Sequence, residues 1–422
     1  GIGRIIIVCN SENIDLIRSN TNKDIEIDYV VQSKQLGTAD ALKVAATNTN
    51  FKDISNLFVF LGDTPLVTNS DITYLSDSLK SNDILIASFE TENPTGYGRI
   101  IRDNEGRVCN IIEEGDATTE EKSIKTCFSG IIIFNNISIL SLLDNIKNDN
   151  SKKEFYLTDV IKIADNNNLN VRDVLLEYDS VRGVNDYIQL SQTEKIMSER
   201  IMQKFMKEGV HISLADTSFI HPNTQFGKNV TVEPNVYIGE GVIIGDDVII
   251  KSFSYLEGVN IKKGATIGPF ARIRPESNIG ENSKVGNFVE LKNANVADNV
   301  KISHLSYIGD ASLGSGTNIG AGTVTCNFDG VEKYKTIIGK NAFIGSNSSL
   351  IAPIEISDNS YIGSGSVITK DVPTNSLSLS RSEQVTKNLP RIDDWLSETF
   401  LKKNKMLNWN EALDKLHTSE ES

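Results

Sequence analysis

The chain has 422 residues, enough for two or three domains with well-buried cores. Its 56 Asp and Glu outnumber 42 Lys and Arg, and the net charge of −14 argues against a nucleic-acid or anionic-membrane surface, which needs clustered cations. No apolar run reaches the length of a membrane span and the first residues lack the layout of a secretory signal, so a cytoplasmic protein is expected.

Residues 1–186 alternate short Ile/Val-rich runs with helical patterns, the texture of an α/β domain. Strands are predicted over Arg4–Cys9, Ile27–Val31, Leu57–Leu61, Ile84–Ser88 and Gly130–Asn135. After the second strand, Gln32 to Ala41 enters a helix through Gly37-Thr38, whose backbone N–H groups suit a nucleobase or phosphate. Alone, such a turn is also an ordinary helix cap. The third strand runs into Gly62-Asp63-Thr64-Pro65-Leu66, placing a carboxylate at the sheet edge where open α/β folds bind ligands. Mg²⁺ is commonly held by one or two carboxylates plus substrate phosphates, so Asp63 can suffice; a turn or cap is its other reading. Asn93–Arg99 reads as a Gly-rich loop, and Glu113 after Ile111-Ile112 as an edge-strand charge. The cysteines, Cys9, Cys109, Cys127 and Cys326, show no metal or redox spacing and read as small apolar fillers in a reducing compartment.

Residues 187–209 carry a helical pattern with Leu190, Ile196, Met197, Ile201, Met202, Phe205 and Met206 near one face, and are expected to link the two halves. Over 210–385 the rhythm changes to six. Ile220, Phe226, Val232, Ile238, Ile244, Ile250 and Leu256 keep one phase. After a one-residue slip Ile261, Ile267, Ile273, Ile279, Val285 and Leu291 keep another, and Ile338 to Ile368 a third. Six fits neither the helix nor a lone strand; it predicts a left-handed parallel β-helix of hexapeptide repeats, three hexads to a coil. Arg274 and Lys292, eighteen apart, then stack on neighbouring coils, as a phosphate site or a solvated basic ladder would require. His304 follows the inward Ile302 near that pair, where catalysis is the favoured reading. The rhythm breaks between Asn318 and Ile338, so Asn327 to Thr336 should protrude as a loop carrying Lys333. Residues 386–422 form a polar tail whose Trp395, Leu396, Phe400 and Leu401 are expected on a short docked helix.

Taken together and in this order, the motifs resemble the bacterial bifunctional N-acetylglucosamine-1-phosphate uridyltransferase/glucosamine-1-phosphate acetyltransferase, the GlmU family. The matching pieces are Gln32…Leu36-Gly37-Thr38, Gly62–Leu66, Asn93–Arg99, Ile112-Glu113…Asp116-Ala117-Thr118, Phe155–Asp159 and Gly183-Val184-Asn185. The likeness continues through the solenoid to Ser380-Arg381.

The resemblance implies that the first half joins UTP to N-acetylglucosamine 1-phosphate, releasing pyrophosphate. Asp63 and Asn185 would hold Mg²⁺; Gln32, Gly37 and Thr38 would contact the nucleotide; Gly98, Glu113 and Asn185 would contact the sugar. For the second half it implies acetyl transfer from acetyl-CoA to glucosamine 1-phosphate. His304 would be the general base, oriented by Glu290. Arg274, Lys292, Lys333, Tyr307 and Asn318 would hold the sugar phosphate, and the Ala321 N–H would face the thioester oxygen. Asn327, Phe328, Ser346, Ser364 and Arg381 would contact acetyl-CoA. A homotrimer with sites between solenoids is implied.

The pattern also departs. Gly1 matches the family after its glycine-rich nucleotide loop, so weakened uridyl transfer and an unpaired strand edge are expected. Phe128 stands where the family has Asn, Leu61 where Tyr is common, Ser364 for Ala, and Phe328 for Tyr. Three readings follow: the bifunctional enzyme with an impaired first activity, an acetyltransferase whose α/β half is a scaffold or sensor, and a non-catalytic solenoid that assembles a partner.

Overall fold

The computed structural model describes residues 3–21, 24–49, 55–80, 82–135 and 137–386. The predicted tail helix with Trp395 lies outside them. The chain divides into two compact units, Gly1–Lys204 and Phe205–Ser422, the division falling inside the helix Tyr187–Lys207. Among the described residues no helix is long and apolar enough to cross a membrane.

The strands of the first unit are β1 (Ile5–Cys9), β2 (Ile27–Val31), β3 (Leu57–Val59), β4 (Ile84–Glu90), β5 (Arg99–Arg102), β6 (Val108–Ile112), β7 (Thr126–Phe134) and β8 (Val171–Leu175). β1 and β2 pair in parallel as a separate two-stranded sheet. The main sheet runs β6-β5-β7-β4-β8, with β3 antiparallel to β7. β4 and β7 are buried almost throughout because their Ile, Leu, Ala and Phe side chains are covered on both faces. The predicted strand Leu57–Leu61 is shorter, since Leu61 already belongs to the turn closed by the Thr64 hydroxyl donating to Leu61 O. Of the β5–β6 hairpin the sequence showed only an edge strand ahead of Glu113; Arg99, expected in a Gly-rich loop, begins β5. Arg99 is 1% exposed and its guanidinium donates to Tyr97 O and to Glu114 Oε2, so a charge that reads as surface lies inside.

Among the described residues of the second unit the hexads give strands of two to seven residues, the longest spanning two hexads, and the ladders between these strands are parallel. Phe219 pairs Tyr237 and Tyr237 pairs Tyr255, eighteen residues per coil. Tyr255 then pairs Arg272, seventeen on, which is the slip seen in the sequence. The inward aliphatic residues are buried, each contributing roughly 1.5–3 kcal/mol of transfer free energy. Phe226 is half-buried and meets the edge of the Phe205 ring at 5.0 Å.

The coil turns at residues with positive φ. Asn229, Asn235, Asn282, Asn293, Asn299, Asn341, Asn347 and Asn359 supply many of them, because a short polar side chain tolerates the left-handed region. This is the left-handed parallel β-helix. Between Val324 and its partner Ser349 the spacing widens, and the excess forms the expected loop. A Phe328↔Lys333 bridge and the Tyr334 N–H to Asn327 O bond of 2.8 Å fold it as a hairpin.

Candidate functional site

In the first unit the segment 155–158 draws two groups of predicted residues together. Gly37 has φ +116 and fits tightly against Phe155, where an added Cβ would lie 2.5 Å from the carbonyl oxygen. Thr38 Oγ1 accepts the Leu157 N–H at 2.9 Å, and the Gln32 amide donates to Gly37 O and to Asp40. The next residue, Thr158, donates to Glu113 Oε1 at 3.0 Å, and Gly98 lies beside the same carboxylate. Burial raises the Glu113 carboxyl above its ordinary value, against the opposing Thr158 bond. Burial, with Asp149 and Glu113 nearby, also pushes Asp159 up to about 6, a group the sequence reading gave no role.

Phe128 donates its N–H to Gly98 O at 2.8 Å, and a Cβ at Gly130 would meet Leu61 Cδ1 at 2.8 Å. Both departures from the family pattern therefore lie against this part of the unit. Asp63 and Asn185 converge beside Gly183, where an added Cβ would be 3.5 Å from Asp63 Oδ2 and 3.6 Å from Asn185 Nδ2. Asp63 Oδ1 is buried without a hydrogen-bond partner, which a bound cation would supply. No cluster of three or more His, Cys, Asp and Glu suited to a metal occurs among the described residues, so part of the ligand set would come from substrate oxygens.

In the solenoid, one corner carries a column of predicted residues. Gly322 donates to Leu305 O, Asn347 to Ala321 O and Gly365 to Ser346 O, at 3.0, 2.7 and 2.8 Å. These bonds set Ala321 over His304, Ser346 over Ala321 and Ser364 over Ser346. Arg381 reaches back to Ser364 O at 2.9 Å. Among the described residues nothing accepts the Ala321 N–H.

The side chain hydrogen-bonded to His304 is not the expected Glu290. His304 Nδ1 is hydrogen-bonded to Asn287 Oδ1, in register one coil below. Glu290 is in register with Tyr307 instead and its Oε1 is held by Arg274 Nη1 at 3.1 Å. Coil register, which decides between Asn287 and Glu290, is not visible in a linear motif.

The next corner of the same coils holds the cations. Asp310, 9% exposed, accepts from Asn293 at 2.8 Å and from Asn327, and stands 3.9 Å from Lys292 Nζ. Lys333 comes from the loop; the Lys292 side chain, in contact and of like charge, holds it below the usual lysine range. Tyr307 folds its hydroxyl over Gly309, the residue paired with Lys292. Asn318 lies apart from this group, in the other sheet between Lys301 and Phe343. Phe328, which bridges Lys333 in the hairpin, is exposed. The two corners bound one face, at Leu305 and Asp310, so in a single chain the imidazole and the cations occupy its two ends.

A nucleotidyltransferase-type α/β unit joined to a hexapeptide β-helix defines a two-headed transferase. Residues 1–178 match the nucleotidyl transferase family, 223–258 the bacterial transferase hexapeptide (six repeats), and 256–389 the GMPPB C-terminal domain. The bifunctional protein GlmU of Bartonella quintana is 43% identical over 84% of this chain and 79% of its own. That of Bartonella bacilliformis is 41% identical over 91% and 85%, and that of a Bradyrhizobium species 44% over 86% and 81%. The chain belongs to the GlmU family. Members are bifunctional enzymes with acetyltransferase and uridyltransferase activities, and the domain for each is present here.

Proposed function

We propose that the solenoid transfers an acetyl group from acetyl-CoA to the amine of glucosamine 1-phosphate, with His304 as general base. The supporting observation is the corner column His304, Ala321, Ser346, Ser364, closed by Arg381. It offers an extended thioester donor a continuous path that ends at an imidazole. The amine attacks only when unprotonated, so a base that titrates near neutrality is needed beside it. The C–N bond forms as the C–S bond breaks; His304 takes the amine proton and the thiolate leaves. The free Ala321 N–H would meet the negative charge developing on the thioester oxygen. Arg274, Lys292 and Lys333, with Tyr307, would hold the sugar phosphate, and Asn318, in the other sheet, would reach it only from a neighbouring solenoid, while Asn327 and Phe328 would contact acetyl-CoA.

At the first unit we propose uridyl transfer from UTP to N-acetylglucosamine 1-phosphate. Asp63 and Asn185 fit a Mg²⁺ ion, which would neutralise charge between two phosphorylated anions. Gln32, Gly37 and Thr38 would contact the nucleotide, and Gly98, Glu113 and Asn185 the sugar. Donors such as UTP and acetyl-CoA assign the protein to the cytoplasm.

The working form is a homotrimer in this account. Phe253, Phe270, Phe288 and Leu305 are 44–59% exposed at the corner of His304, all with positive φ. The three Phe rings stack at 4.8 and 5.2 Å. A bulky side chain in the left-handed region costs about 1–2 kcal/mol, and leaving it in water recovers nothing. A neighbouring solenoid over this ladder would bury it and bring a second chain's cationic corner toward His304. Release of CoA that depends on glucosamine 1-phosphate tests the acetyl reading; no release with this acceptor removes it. Magnesium-dependent pyrophosphate release from UTP and N-acetylglucosamine 1-phosphate tests the other.

A further inference from the structure

We propose that Asn287 is the residue that fixes the tautomer and ring plane of His304. The inference rests on reading His304 as the base and adds what makes it one. Strand Lys284–Asn287 pairs with strand Lys301–His304, with Asn287 opposite His304. Leu305 N donates to Asn287 O at 3.0 Å, which locks the two backbones together at this point. Both residues stand just before a left-handed corner residue, Phe288 and Leu305, so both side chains project at the same edge.

The short contact joins Asn287 Oδ1 to His304 Nδ1. An amide oxygen can only accept, so Nδ1 carries the proton and Nε2 keeps its lone pair. Among the described residues Nε2 has no partner, and the exposed ring offers it outward. With the amide turned over, its NH₂ would donate to Nδ1, the proton would sit on Nε2, and no base would face the acceptor. Asn287 thus decides whether the ring can do the chemistry. The titratable side chains on the strands either side of this corner are Lys284 and Lys301 before it, and after it Glu290, Lys292, Tyr307 and Asp310; Arg274 holds the Glu290 carboxylate, and Lys292 stands by Asp310. A neutral partner orients the ring without adding an anion that would stabilise imidazolium.

The test uses the 422-residue chain with glucosamine 1-phosphate and acetyl-CoA. Asn287→Leu is expected to lower kcat by about 10–100-fold while KM stays within about twofold, with assembly and melting unchanged. Asn287→Asp keeps the acceptor and adds a charge; it should retain most of kcat and move the lower limb of the pH profile up by about one pH unit. Nitrogen-15 NMR of the neutral imidazole should show Nδ1 protonated in the parent chain. An undiminished kcat in Asn287→Leu, an unmoved profile in Asn287→Asp, or an Nε2-protonated ring each overturns the proposal. If Asn287→Leu does not fold, the Asp variant and the spectrum decide. Should His304→Ala retain the parent rate, the base reading falls, and the spectrum alone then decides whether Asn287 sets the tautomer.

Discussion

Asp310 Oδ2 lies 3.9 Å from Lys292 Nζ, and the same carboxylate is bonded to Asn293 and Asn327. One buried acid therefore ties the coil lysine to the root of the loop that carries Lys333. Burial alone would raise its pKa; the bonds from Asn293 and Asn327 and the charges of Lys292 and Lys333 outweigh this and hold it below the usual carboxylate range. A carboxyl depressed in the folded state contributes stability above its unfolded value, near 3.9, and loses it as pH falls through the folded value. Asp310→Asn should flatten the loss of melting temperature below about pH 4 relative to the parent chain. A parallel acid limb in both chains would count against this role.

Asp63→Ala should reduce magnesium-dependent pyrophosphate release by roughly 100-fold or more, about 2.7 kcal/mol of barrier. Acetyl transfer should be untouched, because His304 belongs to the other compact unit. Parallel assays of the two activities on one preparation make the comparison, and an unchanged release of pyrophosphate would remove Asp63 from the metal site.

Gly37→Ala tests the packing of the turn before the helix Thr38–Asn48. Gly37 sits at φ +116, and the new methyl would meet Phe155 O at 2.5 Å, a backbone atom that cannot swing away. Destabilisation of about 1–3 kcal/mol is expected, seen in calorimetry as a lower transition for the α/β unit alone. Equal melting of variant and parent would contradict the packing described.

Phe270→Asp places a charge inside the stack with Phe253 and Phe288. Burying each such ring contributes roughly 1.5–3 kcal/mol, and three copies act together in a trimer. Light scattering should show the mass falling from three chains toward one. A trimer of undiminished stability would move the interface elsewhere.

The solenoid was legible because its inward positions ask only for an aliphatic side chain, and a repeat of six leaves no other regular fold. Even the short coil at Leu256–Ile261 showed as a slip. What the sequence hid depends on neighbours one coil away: Asn287 rather than Glu290 meets His304, and Asp310 gathers residues from three coils. No residue preference forecasts Phe253, Phe270 and Phe288 in the left-handed region, since local sterics oppose them there. In the first unit the pairing of β5 with β6 escaped because Asn93–Arg99 reads as a Gly-rich loop, whereas Glu114 and the Tyr97 carbonyl hold the Arg99 guanidinium inside.

The most direct test is the rate of CoA release with glucosamine 1-phosphate in His304→Ala against the parent chain, at matched mass and melting temperature. A fall of about 100- to 10,000-fold is predicted, the range supplied by a positioned base. A variant that assembles normally and transfers acetyl at the parent rate would contradict the central role of this imidazole.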